Sequence, residues 1–396
     1  MMNKNVGILI HKLAGGGAER VASNISINLP EDEYHKYIVI FEDSLEKYPF
    51  RGTLLNMNIG ACNRPFRKVL NVVKRVRAVK KIKKQYKIDT TLSLLAGPNL
   101  VNILSARKDG KTIISVRNFI SKSSNGFYGK AHKILTKLLY NKADLIVVVS
   151  NTLKYDLVLN FGLNENKIKV IYNPYDVENI KEMAKETIAD KYKEIFENPV
   201  IITAGRLTQQ KAQWNLIRSF KKVKKDMPDA KLVILGQGDL EDYLKELAKE
   251  LDLEKDVHFL GFQENPFKYI AKSTIYAFPS LYEGFPNAMC EAMVCGVPVI
   301  SADCKSGPRE ILAPDTDINR EIDDIEYAKY GILIPPSDGV KYKSDDELIK
   351  EEKILSKSIV ALMKDKAMMD KYSKLAMERV DDFSMDKIIK QWEELL

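Results

Sequence analysis

Two glutamates, Glu283 and Glu291, stand with seven residues between them in a passage that also holds Gly284, Pro286 and Asn287. The short apolar run at 275–278 just upstream reads as a strand, and Pro286 and Asn287 are residues that favour a helix start. Glu283 then falls in a strand-to-helix loop and Glu291 in the first turns of the helix. Carboxylates placed this way accept hydrogen bonds from hydroxyl groups, such as those of a sugar and of a ribose. The backbone N–H groups around Phe285–Asn287 are expected to point into the same space. A capping loop with two incidental acids is the plainer reading, and it has no use for Gly, Pro and both acids in one passage.

A second pair lies further upstream. Arg206 and Lys211 are five apart on the loop after an apolar run at 200–203. A planar guanidinium and a compact ammonium can together grip a diphosphate, although a solvated loop would look much the same. Near the start, Gly15, Gly16 and Gly17 follow a strand-like run and open a helical one. Backbone can approach a ligand closely at such a place, and the unpaired N–H groups of a helix start favour an anion. A tight strand-to-helix turn is the alternative. The spacing is not Gly-x-Gly-x-x-Gly and no Walker lysine follows, which weighs against dinucleotide and P-loop sites.

These residues need strand ends to carry them, and the chain supplies strand ends throughout. Apolar runs at 6–10, 37–41, 90–94, 112–116 and 145–149 form one series; those at 200–203, 231–235, 257–259, 275–278 and 297–301 form another. Helical patterns at 18–29, 70–84, 213–224 and 240–251 lie between them. Such alternation predicts α/β architecture with parallel sheets joined by right-handed crossovers. Pro174 and Pro199 bracket a polar stretch between the series, so two doubly wound, Rossmann-like domains facing a cleft are expected, at 1–175 and 176–380, with a linker near 172–198. The amphipathic end at 381–396 reads as a last helix in which Trp392 is an anchor for packing.

At 396 residues, 45% hydrophobic and 29% charged, the composition is that of an ordinary globular protein. Nothing approaches the roughly 18 consecutive apolar residues of a membrane span. The opening run lacks the features of a secretion signal, so a cytoplasmic location is expected. Cys62, Cys290, Cys295 and Cys304 form no tight metal-type pairs. Residues 1–170 carry 29 Lys and Arg against 12 Asp and Glu, whereas the remainder carries 33 against 42. Much of that asymmetry sits between Arg64 and Lys87, which includes Lys74, Arg75, Arg77, Lys80, Lys81 and Lys84 and no acid. Val69, Val72, Val73, Val76, Val79 and Ile82 recur at helical spacing through it. A basic amphipathic helix of this density suits an anionic membrane surface, although the valine stripe equally suits core packing. Aromatic residues do not interleave with the charges, so nucleic acid is not expected as a partner.

Taken together, the passage from Glu283 to Glu291 resembles the Glu-x7-Glu signature of the family 4 retaining glycosyltransferases, which have the GT-B fold. The following Cys295–Leu312 segment, the Gly15–Arg20 loop, Tyr172-Asn173-Pro174 and Gly205–Lys211 resemble that family in the same order. The likeness runs along essentially the whole chain, most specifically over 200–312, and its form is common in bacterial members that build surface polysaccharides and lipid-linked oligosaccharides. It implies that Arg206 and Lys211 bind a donor diphosphate, with Gly16 and Gly17 closing on it from the other domain. Glu283 would hold donor-sugar hydroxyls, helped by the amides of Phe285, Pro286 and Asn287, and Glu291 would take the ribose. Gly236, Gln237, Gly238, Gly261 and Phe262 would border base and ribose. The last helix would cross back onto the first domain. Where many relatives carry a histidine after a strand of the first domain, this chain has Arg117 and Asn118.

The resemblance implies a hexosyltransferase-type reaction with a nucleotide-sugar donor, most simply a UDP-sugar, and a glycan or lipid-diphosphate acceptor at the inner face of the membrane. Two cations at the departing diphosphate do the work of a metal, so no cofactor is expected. Asp315-Thr316-Asp317 lies in a loop, and basic surroundings are not expected for it. A glycosidase would also use two acids but has no need of a diphosphate grip. An epimerase or phosphorylase on the same fold, or an idle donor-binding subunit, are the rivals.

Overall fold

The computed structural model describes residues 4–44, 48–60, 65–121, 127–305 and 307–396; Cys62, Arg64 and Ser306 lie outside them. The chain divides into two compact units, Met1–Pro174 with Met385–Leu396, and Tyr175–Ser384.

The first unit is built on a seven-stranded sheet of β1 (Lys4–Ile10), β2 (Tyr34–Ile40), β3 (Thr53–Asn56), β4 (Thr90–Leu94), β5 (Lys111–Val116), β6 (Leu145–Val148) and β7 (Ile168–Val170). Their order is β3-β2-β1-β4-β5-β6-β7, with every pairing parallel. β1 is buried without a break from Val6 to Ile10, because helices cover both faces of the sheet. On one face the helix Gly17–Asn28 contributes Val21 and Ile25 to a core that includes Ile8, Leu92 and the fully buried Trp392. Trp392 belongs to the helix Met385–Glu393, whose Ile388 and Ile389 point into the same core. The chain end is tied down by the Thr90 hydroxyl, which donates to the Leu396 carbonyl at 3.4 Å.

The second unit has β8 (Val200–Ala204), β9 (Lys231–Leu235), β10 (Val257–Gly261), β11 (Ile275–Phe278), β12 (Val299–Ala302), β13 (Glu326–Tyr327) and β14 (Ile332–Ile334). The order is β10-β9-β8-β11-β12-β14-β13, parallel except for the antiparallel β13–β14 pair at the edge. The helices Gln213–Asp226 and Lys350–Lys364 are locked together by a fully buried pair, Arg218 Nε donating to Glu352 Oε1 at 2.8 Å. The Arg218 fork also reaches the carbonyls of Lys343 through Nη1 and of Asp346 and Glu347 through Nη2, so each of its nitrogens has a partner.

Each sheet changes direction once, between β1 and β4 in the first unit and between β8 and β11 in the second. Loops that leave such neighbouring strands diverge and open a space beyond the carboxyl ends, where ligands bind in open α/β sheets.

The sequence reading missed β3, β7, β13 and β14, which have four residues or fewer and no periodicity to read. The stretch read as a linker packs on the second unit from Tyr175 onward. Asn265 Nδ2 donates to the Met183 carbonyl at 2.8 Å, and the rings of Tyr192 and Phe196 rest on Tyr269. Among the described residues no helix is long and apolar enough to cross a membrane.

Candidate active site

The loops at the β8/β11 switch are fixed from beneath. The buried Tyr276 hydroxyl donates to the Ala204 carbonyl at 3.1 Å and accepts from the Ala204 N–H at 3.2 Å, clamping the end of β8. Burial pushes this phenol above its ordinary range, so it stays protonated. The Leu207 N–H bonds the Gln237 carbonyl at 3.0 Å and the Gly236 N–H bonds the Gly261 carbonyl at 2.8 Å, which stacks the loops after β8, β9 and β10. Gly236 has φ +127, and a Cβ there would collide with the Gly205 carbonyl oxygen, so only glycine lets the two loops touch. Gly236 and Gly261 thus shape this rim, and Phe262 stands well exposed just beyond it.

Lys211 Nζ reaches Glu283 Oε1 at 2.7 Å, joining the loops after β8 and β11. The side chains are 17% and 7% exposed, so the pair is largely withdrawn from water but open on one side. Lys211 also lies over the Phe278 ring, 5.0 Å from its centroid. Gln210 completes the arrangement, its Nε2 donating to the Tyr282 carbonyl at 2.8 Å and to Glu283 Oε2 at 3.3 Å. Sequence reasoning missed Gln210, whose only signal was adjacency to Lys211. Arg206 is exposed, and its side chain has no hydrogen bond or ion pair among the described residues. Its backbone carbonyl is held by Gln213 Nε2 at 3.1 Å. The site therefore presents one anchored cation, one exposed cation and a carboxylate.

The helix Asn287–Val294 begins where the sequence placed it. Glu283 lies in the loop before it and Glu291 in its second turn, half-buried. The Tyr175 hydroxyl donates to Asn287 Oδ1 at 2.7 Å, and the Phe285 ring packs against Tyr175 and edge-on against Phe383. Gly307 has φ +98, and a side chain there would run into the Pro286 ring. The turn does not offer three N–H groups: Pro286 has none, and that of Asn287 is given to the Phe285 carbonyl at 3.0 Å. Asp315 differs from expectation too, because Lys329 Nζ lies 2.9 Å from its Oδ2. Among the described residues no group of three or more His, Cys, Asp or Glu is placed to hold a metal ion.

In the first unit, Gly15 takes φ +84 and Gly16 caps the helix Gly17–Asn28 without a side chain, leaving its first N–H groups at the carboxyl end of β1. The basic helix spans Pro65–Gln85. Lys74, Arg77, Lys80, Lys81 and Lys84 are exposed. Arg75 instead turns inward, 4.2 Å from the Phe41 ring centroid, with Nε and Nη2 donating to the Ile59 carbonyl at 3.0 and 2.6 Å. Val79 is core, but Val69 is 65% exposed, and Leu70 and Val73 are exposed as well. A second helix, Phe127–Leu139, leaves Ile134 and Leu138 60% and 63% exposed beside exposed Lys137. Arg117 is buried, donating to Asn173 Oδ1 and, at 3.4 Å, to the Ser115 hydroxyl, while Asn118 is exposed.

The family model for glycosyl transferases group 1 matches residues 184–322, and that for Glycosyltransferase Family 4 matches residues 15–179. An uncharacterized glycosyltransferase of Methanocaldococcus jannaschii is 36% identical over 91% of this chain and 92% of its own length. N-acetylgalactosamine-N,N'-diacetylbacillosaminyl-diphospho-undecaprenol 4-alpha-N-acetylgalactosaminyltransferase of Campylobacter jejuni is 35% identical over 79% of this chain and 84% of its own length. Among solved structures, Anabaena HepE in complex with UDP and glucose superposes with a TM-score of 0.75 over 99% of both chains, at 20% identity. With sheets, switch-point loops and relatives in agreement, the chain belongs to glycosyltransferase family 4 and has the GT-B fold.

Proposed function

We propose that this glycosyltransferase moves a sugar from a UDP-sugar to a hydroxyl of a lipid-linked glycan, with retention of configuration and without a metal ion. The observation that carries the reading is the Lys211–Glu283 pair at 2.7 Å, with the exposed Arg206 side chain on the same loop as Lys211. Lys211 and Arg206 offset the charge that gathers on the departing diphosphate, and Glu283 accepts hydrogen bonds from the donor sugar while holding Lys211 in place. Glu291, on the adjoining helix, takes the ribose. The bond from the anomeric carbon to the β-phosphate oxygen breaks, the bond to the acceptor oxygen forms on the same face, and the acceptor's proton passes to the leaving phosphate. Two similar proteins support the substrate classes: the Campylobacter relative is named for a diphospho-undecaprenol acceptor, and HepE was solved with UDP.

The exposed lysines and arginines of Pro65–Gln85, together with exposed Val69, Val73, Ile134 and Leu138, suit peripheral attachment to an anionic bilayer on the cytoplasmic side. Each basic residue near such a surface contributes about 1 kcal/mol, and inserted apolar side chains add to it.

A thermal-shift screen of nucleotides and nucleotide sugars in EDTA tests the donor claim. A ligand present at 100 times its Kd stabilises the folded state by about 2.7 kcal/mol. UDP and one UDP-sugar are expected to raise Tm with EDTA present. No shift with UDP or any UDP-sugar overturns the donor assignment, and a shift that needs added divalent metal overturns metal independence.

A further inference from the structure

Arg309 belongs to the segment Cys295–Leu312, and the donor contacts described above give it no part. It is buried, on the short helix Pro308–Leu312, and its guanidinium ties that helix to three other stretches of the second unit. Nε and Nη2 both donate to Asp303 Oδ2, Nε at 3.0 Å, just past the end of β12. Nη1 donates to the Thr316 hydroxyl at 3.1 Å, and Nη2 to Glu326 Oε2 at 3.0 Å on the edge strand β13. Arg320 shares that carboxylate, its Nε 3.7 Å from Oε2.

The cluster stands behind the loop that carries Glu283. Asp303 and Arg309 bracket Lys305 and Gly307 in the chain, and both of these touch that loop. Lys305 forms an isolated parallel bridge with Tyr282, the neighbour of Glu283. Gly307 comes so close to Pro286 that a Cβ would lie 2.4 Å from its Cδ. The Asp303 N–H donates to the Ile334 carbonyl at 2.8 Å, which fixes one end of the passage to β14. Arg309 fixes the other end to Asp303 itself. A planar fork with donors in set directions fixes the distance and angle between the groups it joins, which a lysine cannot do. Desolvation of the buried charges largely offsets their attraction, so what the cluster contributes is position more than stability.

We propose that Arg309 is a positioning residue for the transfer. By holding Asp303 against the helix Pro308–Leu312, it keeps Lys305 and Gly307 on the Tyr282–Pro286 loop and so sets Glu283 against the donor sugar. The sugar contact rests on the donor reading above.

Hydrogen exchange of the unliganded chain tests the link, beside isothermal titration with UDP, UDP-glucose, UDP-galactose, UDP-N-acetylglucosamine and UDP-N-acetylgalactosamine. The variants are Arg309→Lys, which keeps the charge without the fork, and Glu326→Gln, which loosens the outer contact alone. Gly307→Ala disturbs the same loop and leaves Arg309 in place. Amides of 282–290 are expected to exchange at least about fivefold faster in all three, with those of β8 and β9 unchanged. Affinity for UDP should stay within about twofold, while affinity for the UDP-sugar that binds the wild type falls about fivefold, as loss of one hydrogen bond predicts. A merely structural role would weaken both ligands by the same factor and speed exchange across the whole unit. That result, or unchanged exchange at 282–290 in Arg309→Lys and Glu326→Gln, overturns the proposal. A wild type that binds neither UDP nor any of the UDP-sugars overturns the donor reading instead, and the exchange measurement still decides whether Arg309 holds the loop.

Discussion

Lys211 and Glu283 come from loops 72 positions apart and meet at 2.7 Å, each the other's partner at the mouth of the β8/β11 switch. Neither charge is left to water alone, so the pair is already placed when a donor arrives. Lys211→Ala strands the Glu283 carboxylate in a largely buried position and is expected to destabilise the protein by about 1–3 kcal/mol. It should also abolish the UDP thermal shift. Glu283→Gln should retain a UDP shift but lose the extra stabilisation given by a UDP-sugar. The double variant should cost less than the two single losses combined, because the second change removes a charge already without its partner. Strict additivity in urea titrations would separate the two residues.

Arg206 gives the opposite pattern. Its side chain is exposed and makes no contact that folding needs, so Arg206→Ala should change unfolding free energy by no more than about 0.5 kcal/mol. Affinity for UDP should nevertheless fall at least tenfold, the loss of about 1.4 kcal/mol that a charge-assisted bond to phosphate represents. Isothermal titration with UDP checks this. Unchanged affinity removes Arg206 from the diphosphate site.

The basic helix should separate into two classes of residue. Neutralising Lys74, Lys80, Lys81 and Lys84 is expected to weaken binding to liposomes rich in anionic lipid with little change in Tm, since all four are exposed. Arg75→Gln should lower Tm instead, because the guanidinium lies on Phe41 and holds the Ile59 carbonyl. Cosedimentation beside thermal melts distinguishes them. Binding that is unchanged by the fourfold variant sinks the electrostatic part of the membrane assignment.

Lys83 predicts a pH dependence. Burial, with Arg107 and Lys80 nearby, lowers its pKa from 10.5 to about 7. Between those values the unfolded chain holds a proton that the folded chain does not, so stability rises with pH across that window. Below about 7 both states are protonated, and the full cost of burying the ammonium is present. Relative to Lys83→Met, the wild type should therefore gain stability steadily from pH 7 to pH 9.5. A constant difference in Tm across that range would mean that Lys83 keeps its proton inside the fold.

The candidate site was legible from sequence where one segment carries both the element and the residue types on which the proposal rests. The strand at 275–278, the loop with Glu283 and the helix start at Asn287 are contiguous, so apolar run, glycine, proline and acids could be read together. The same holds for β8 and the Arg206–Lys211 loop. Arg75 was not separable from its neighbours, because one helical period assigns a basic residue to a face without saying what packs beside it. Gln210 and Phe278 gained meaning only when β8 and β11 lay side by side.

Sequence alone determined the alternation of strands and helices, the two series of strands and the family signature, since each depends on residues within a turn or a loop of one another. Tertiary structure decided that Lys211 meets Glu283, that Met385–Leu396 completes the first unit and that Lys305 lies beside Tyr282. Those relationships join positions that are distant in the chain. Parallel strand order and side-chain packing set them, and neither is written in local periodicity.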